Sequence, residues 1–166
     1  MTATAISSFP RAGFRRRFGA WVYDTLLAFA VYMIAGALSF ALFNLAIYFK
    51  LVSMQGFEHA IDLQQASLLY SGLIYLWNIA WVGFFFVWFW SRSGQTLGMK
   101  AWRLRIQNAD GSLISKKCAI KRLFVGLLGL GNFLVLFDRK NKLGLADRLT
   151  NTEIVVLSLQ ANRGRL

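Results

Sequence analysis

Asp24 is the one charged side chain between Phe18 and Phe49, in a stretch that is otherwise apolar or weakly polar. An ionised carboxylate at the centre of a membrane helix costs about 2.5 to 3.5 kcal/mol, so such a group must face protein, water or a partner. Two kinds of chemistry suit it: carrying a proton or cation, or pairing with a fixed positive charge. Arg17 is the nearest candidate partner. It lies seven positions earlier, almost two helical turns, so both side chains leave the same side of a helix about 10 Å apart along its axis.

The element that must hold them is a membrane helix. Arg15, Arg16 and Arg17 open it, and the apolar run that follows is longer than the ~20 residues needed to cross a bilayer core. If wholly helical, Phe18 to Phe49 would span about 48 Å against a core of about 30 Å, so the helix tilts or leaves the bilayer before Tyr48. Trp21 and Tyr23 near one end and Tyr48 near the other suit the two interfaces. Ala35, Gly36, Ala37 and Ser39 would let a second helix approach closely. Small residues in the ALSFA stretch offer a site to a signal peptidase, but the apolar sequence continues past it. Because a secretory core is only about 7 to 15 residues, an uncleaved anchor is expected.

A second apolar run, Ser67 to Trp90, carries no charge and is dense in aromatic residues. Rings are ordinary filling and anchoring for a spanning helix, so no ligand box is read from them. Asn78 is the strongly polar group near its middle, placed to hydrogen-bond to the first helix.

The composition agrees: 57% hydrophobic, 16% aromatic and one proline are values a soluble domain of 166 residues rarely combines. A net charge of +12 raises nucleic acid as a partner, but the Lys and Arg lie in blocks that flank apolar segments. That is the distribution of loops kept in the cytoplasm, and it excludes nucleic acid in favour of the bilayer, including its anionic lipids. The connection from Lys50 to Ser67 is poor in basic residues and is placed outside. It holds Glu58, His59 and Asp62, but no further His or Cys completes a metal site, and no cofactor is implied. Cys118 is single, so no internal disulfide is expected.

After the second helix comes SRSGQTLGMKAWRLRIQNADG. GQTLGMK lacks the glycine spacing and the Lys-Ser/Thr pair of a phosphate-binding loop, so nucleotide binding is rejected. AWRLRIQ alternates apolar Trp102, Leu104 and Ile106 with Arg103, Arg105 and Gln107, the signature of a half-exposed strand. TEIVVLSL near the end is a second β-branched run, expected to pair with it. Between them the apolar part from Leu123 to Phe137 is short for a span. A full crossing would also put basic residues outside and separate the two strands. A re-entrant or interfacial segment is therefore favoured over a full span, bent at Gly126, Gly129 and Gly131.

AGFRRRFGAWVYDTLL resembles the first helix of the RDD family, with Arg17 and Asp24 at the family's Arg and first Asp. SGQTLGMKAWRLRI, the Lys121-Arg122 pair and LADRLTNTEIVV follow in the family's order, with Asp147 matching the second Asp. The commonest family form has His before that Asp, where Ala146 stands here. The resemblance implies a bacterial membrane protein, and some members of the family are described as cation/proton antiporters.

The expected fold is an all-α integral membrane bundle with two spanning helices, a third short re-entrant or interfacial segment, and a small cytoplasmic two-stranded β unit. Residues 1–12 are a disordered cytoplasmic tail. Residues 13–158 form one domain: helix 1 at about 14–49, an external loop at 50–66, helix 2 at about 67–91, a strand at 101–108, the third segment at about 117–137 and a final strand at 152–159. Residues 159–166 are a basic tail. The expected place is the bacterial inner membrane, with both termini cytoplasmic.

Two functions fit. In the first, an oligomer transports an ion or small solute by cation/proton exchange, using Asp24, with Arg17 tuning it and Asp147 closing the cytoplasmic entrance; two spanning helices cannot enclose a pathway alone. In the second, Arg17, Asp24, Asp147 and Arg148 form structural ion pairs, Arg17 with Asp147 or Asp24 with Arg148, in a non-transporting accessory, assembly or scaffold protein of a membrane complex. No Ser-His-Asp set stands in register, so an enzyme is not expected.

Overall fold

The computed structural model describes residues 9–138 and 140–164. Helix α1, Phe14–Tyr48, begins shortly after Pro10, the only proline, and nothing in its 35 residues breaks the backbone hydrogen-bond ladder. Helix α2, Ala60–Ala66, is a short turn within the 50–66 connection, and α3 is Leu68–Arg92. Both α1 and α3 are long and apolar enough to cross a membrane. Most of their apolar side chains are exposed, among them Leu26, Phe29, Ile34, Leu69, Leu76 and Ile79. A helix apolar on all sides and exposed in this way has lipid as its natural solvent.

The chain divides into two compact units. In the unit formed by Ala28–Phe84, Asn78 reaches α1 as expected: its Oδ1 accepts from Ser39 Oγ at 3.5 Å, and both residues are buried. The Phe43 and Tyr70 rings meet in the same unit at 5.2 Å between centroids.

The other unit joins the first part of α1 to the chain from Phe85 onward. Its elements are α4 (Leu97–Ala101), β1 (Leu104–Asn108), α5 (Lys116–Val125), a 3-10 turn (Leu127–Phe133), α6 (Leu134–Phe137), α7 (Leu145–Thr150), β2 (Thr152–Val156) and α8 (Leu159–Arg163). β1 and β2 pair antiparallel, with Leu104 opposite Val156 and Ile106 opposite Ile154. Leu104, Ile106 and Ile154 pack with Ala12, Ala20, Met99, Ile114 and Ala119 into the unit's core.

Several expectations are corrected here. The strand expected at 101–108 starts only at Leu104, because Thr96 caps a helical turn whose last residue is Ala101. It is not half-exposed: Arg105 and Gln107 are as buried as Leu104 and Ile106, and Gln107 Nε2 donates to Glu153 Oε1 on β2 at 3.0 Å. The tail expected at 1–12 is ordered from Phe9. Ala12 N–H donates to Ile154 O and Val156 N–H to Pro10 O, both at 2.8 Å, so this stretch lines the free edge of β2. Residues 1–8 lie outside the described part. The strand expected at 152–159 stops at Val156, and the basic tail expected at 159–166 contains α8, capped by Ser158 and burying Ala161, with Arg165 and Leu166 outside the described part.

The third apolar segment is broken, as its glycines suggest. Lys116–Val125 and Gly129–Phe137 are bent by 79° relative to each other. Gly129 sits at φ +100°, a left-handed conformation that glycine adopts without a Cβ clash, and a Cβ there would run into the Trp21 indole. The break thus serves close packing on α1.

Candidate functional site

The first turns of α1 carry Arg17 and, two turns on, Asp24, and both are buried. They share a side of the helix, yet each is the centre of a separate network.

Arg17 reaches the C-terminal part of its unit. Its Nη1 lies 2.5 Å from Asp147 Oδ2, its Nη2 donates to the Lys142 carbonyl at 2.7 Å, and its Nε donates to the Ala12 carbonyl at 3.0 Å. Asp147 stands in the first turn of α7 and reaches back to accept from Gly144 N–H at 2.9 Å. Its other oxygen, Oδ1, accepts from Arg122 Nη2 of α5 at 2.8 Å. Arg122 Nη1 also donates to Thr152 Oγ1 on β2. One carboxylate therefore ties α1, α5 and α7 together, and Arg122 extends the tie to the sheet. Burial pushes the Asp147 carboxyl up, but the charges of Arg17 and Arg122 and the hydrogen bonds outweigh it and hold it below the usual carboxylate range. It is ionised at neutral pH. Removing one partner of such a buried pair costs roughly 3 to 5 kcal/mol.

Asp24 reaches the connection between α3 and β1. Thr96 Oγ1 donates to its Oδ2 at 2.6 Å, and Gly98 N–H donates to its Oδ1 at 3.0 Å. Thr96 Oγ1 in turn accepts from Met99 N–H at 3.1 Å, capping α4. The GQTLGMK stretch is thus the seat of the Asp24 carboxylate. Asp24 forms no ion pair among the described residues.

Of the four expected site residues, Arg17 and Asp147 are brought together. Asp24 is set apart from them, and the expected Asp24–Arg148 pair is not formed. Arg148 points outward from α7 and pairs with Asp138 at 2.8 Å, with its side chain 53% exposed. Arg122, Thr96 and Gly98 were matched to the family's pattern in the sequence but were not expected as site residues. Arg122 had a signal, a cation inside an otherwise apolar segment. Thr96 and Gly98 had the family-like SGQTLGMK stretch around them, but nothing in it pointed to Asp24.

A family model described as the RDD family matches residues 11–151, a span that includes Arg17, Asp24, Arg122 and Asp147. No curated protein and no solved structure matches the chain.

Proposed function

This chain belongs to the RDD family, and from that premise we propose that it is a non-transporting accessory or assembly protein of a membrane complex, in which the Arg and Asp residues are structural. It is a membrane protein whose α1 and α3 are its spanning helices. One observation carries the proposal: both oxygens of each family aspartate are already committed to protein donors. Asp147 is held by Arg17, Arg122 and Gly144, and Asp24 by Thr96 and Gly98. Such groups fasten elements to α1; a carrier group needs room to exchange its ligand. On the charge distribution we place the basic unit and both termini in the cytoplasm, at a bacterial inner membrane. The exposed apolar sides of α1 and α3 then offer the surface on which partner helices or further copies assemble.

Transport by an oligomer, through cation/proton exchange, is favoured by one separate observation: Asp24 is a buried carboxylate on an apolar helix, held among the described residues by the neutral donors Thr96 and Gly98. Proton and cation flux in proteoliposomes decides between the readings. The accessory reading predicts no flux above empty liposomes from wild type or Asp24→Asn. Flux in the wild type that is lost in Asp24→Asn, with the variant folded, would establish transport instead.

A further inference from the structure

A cavity of about 440 Å³ opens beside the start of α1. Arg15, Arg16 and Lys142 line it together with Phe14, Val135 and Leu136, and no carboxylate does. The nearby acids are spent elsewhere, Asp147 on Arg17 and Arg122 and Asp138 on Arg148. Arg16 donates to the Trp102 carbonyl at 3.4 Å, whereas the Arg15 and Lys142 side chains make no hydrogen bond or ion pair among the described residues. Three cations around one space repel one another unless an anion joins them.

The rest of the lining says which kind of anion. Val135 and Leu136 belong to α6, which with the 3-10 turn exposes Phe133, Leu134 and Phe137 nearby. The cavity lies at the basic end of a helix apolar enough to span a bilayer, the level at which headgroups sit. A free phosphate would leave the apolar wall wet, whereas a phospholipid covers it.

We propose that this cavity binds the phosphate headgroup of an anionic phospholipid, with Arg15 and Lys142 on the phosphate and Phe14 and Leu136 against the first acyl carbons. The site rests on the chain's membrane embedding and is independent of the accessory reading.

The test uses the full chain in neutral dodecyl maltoside micelles, which present no extended anionic surface, with dioctanoyl phosphatidylglycerol as the probe. Wild type is compared with Arg15→Gln/Lys142→Gln and with Lys116→Gln/Lys117→Gln, which removes two exposed cations from α5. Both expected-site side chains are exposed, and Lys142→Gln keeps the carbonyl that Arg17 uses, so unfolding midpoints without lipid should equal wild type. Saturable binding that weakens on the order of tenfold or more in Arg15→Gln/Lys142→Gln, and stays near wild type in Lys116→Gln/Lys117→Gln, is the expected result. Equal binding by the two variants would overturn the proposal. So would inorganic phosphate binding to the wild type as tightly as the lipid does.

Discussion

Asp24 Oδ1 accepts from Gly98 N–H at 3.0 Å, and a Cβ on Gly98 would stand 2.5 Å from that same oxygen and 2.8 Å from the Ala20 carbonyl oxygen. The close approach of the GQTLGMK loop to α1 thus depends on the absence of a side chain at position 98.

Gly98→Ala should therefore be destabilising even though it favours helix. Forcing a methyl into this contact pushes the loop off α1 and loses a hydrogen bond to a carboxylate, a cost of about 1 to 3 kcal/mol or more. Thermal unfolding in detergent checks this, with Gly72→Ala as the comparison. No atom lies within 4 Å of a Cβ at Gly72, so that change should be neutral or slightly stabilising.

Thr96 serves Asp24 and the α4 cap with one hydroxyl. Thr96→Val should lower stability by about 1 to 3 kcal/mol, since it leaves a buried carboxylate oxygen and the Met99 N–H short of a partner. Thr96→Ser keeps the hydroxyl and should recover most of the loss. A Ser variant as unstable as Val would show that the methyl packing, and not the hydroxyl, is what matters.

The pH dependence follows from Asp147. Its folded carboxyl titrates below the ordinary value of 3.8, so between the two values the folded chain binds fewer protons than the unfolded one. Its contribution is complete above about pH 4 to 5 and is lost as pH falls through the folded value. Unfolding midpoints from pH 7 down to 3 should drop at the acid end in wild type. Asp147→Asn should start lower and show a shallower drop.

The expectation that Arg148 pairs with Asp24 gives way to an exposed pair with Asp138. Arg148→Ala should therefore leave the unfolding midpoint near wild type, as for most exposed pairs. A loss as large as that of Arg17→Gln would mean that Arg148 has a buried role.

What the sequence revealed depended on the range of each signal. The two long helices were legible because apolar runs bounded by basic blocks report directly on the bilayer. The β1–β2 pairing was legible because an alternating run and a β-branched run each needed a partner strand. Arg17 with Asp147 was legible only as one option, since 130 residues separate them and sequence spacing does not encode that contact. The alternation at Leu104–Gln107 misled, because Arg105 and Gln107 are buried, Arg105 donating to the Gly111 carbonyl and Gln107 to Glu153, while a strand exposed on one face was expected. The Thr96–Asp24 bond was invisible because a threonine in a turn-rich loop looks the same whether or not it meets a carboxylate.

A double-mutant cycle on Arg17 and Asp147 tests the central claim, that these residues act as a structural pair, most directly. Arg17→Gln and Asp147→Asn are each expected to cost roughly 3 to 5 kcal/mol in detergent-solubilised protein, since each leaves a buried charge uncompensated. The double variant should cost less than the two losses combined, by about 1 to 3 kcal/mol of coupling. Strictly additive losses, or single variants as stable as wild type, would contradict the account.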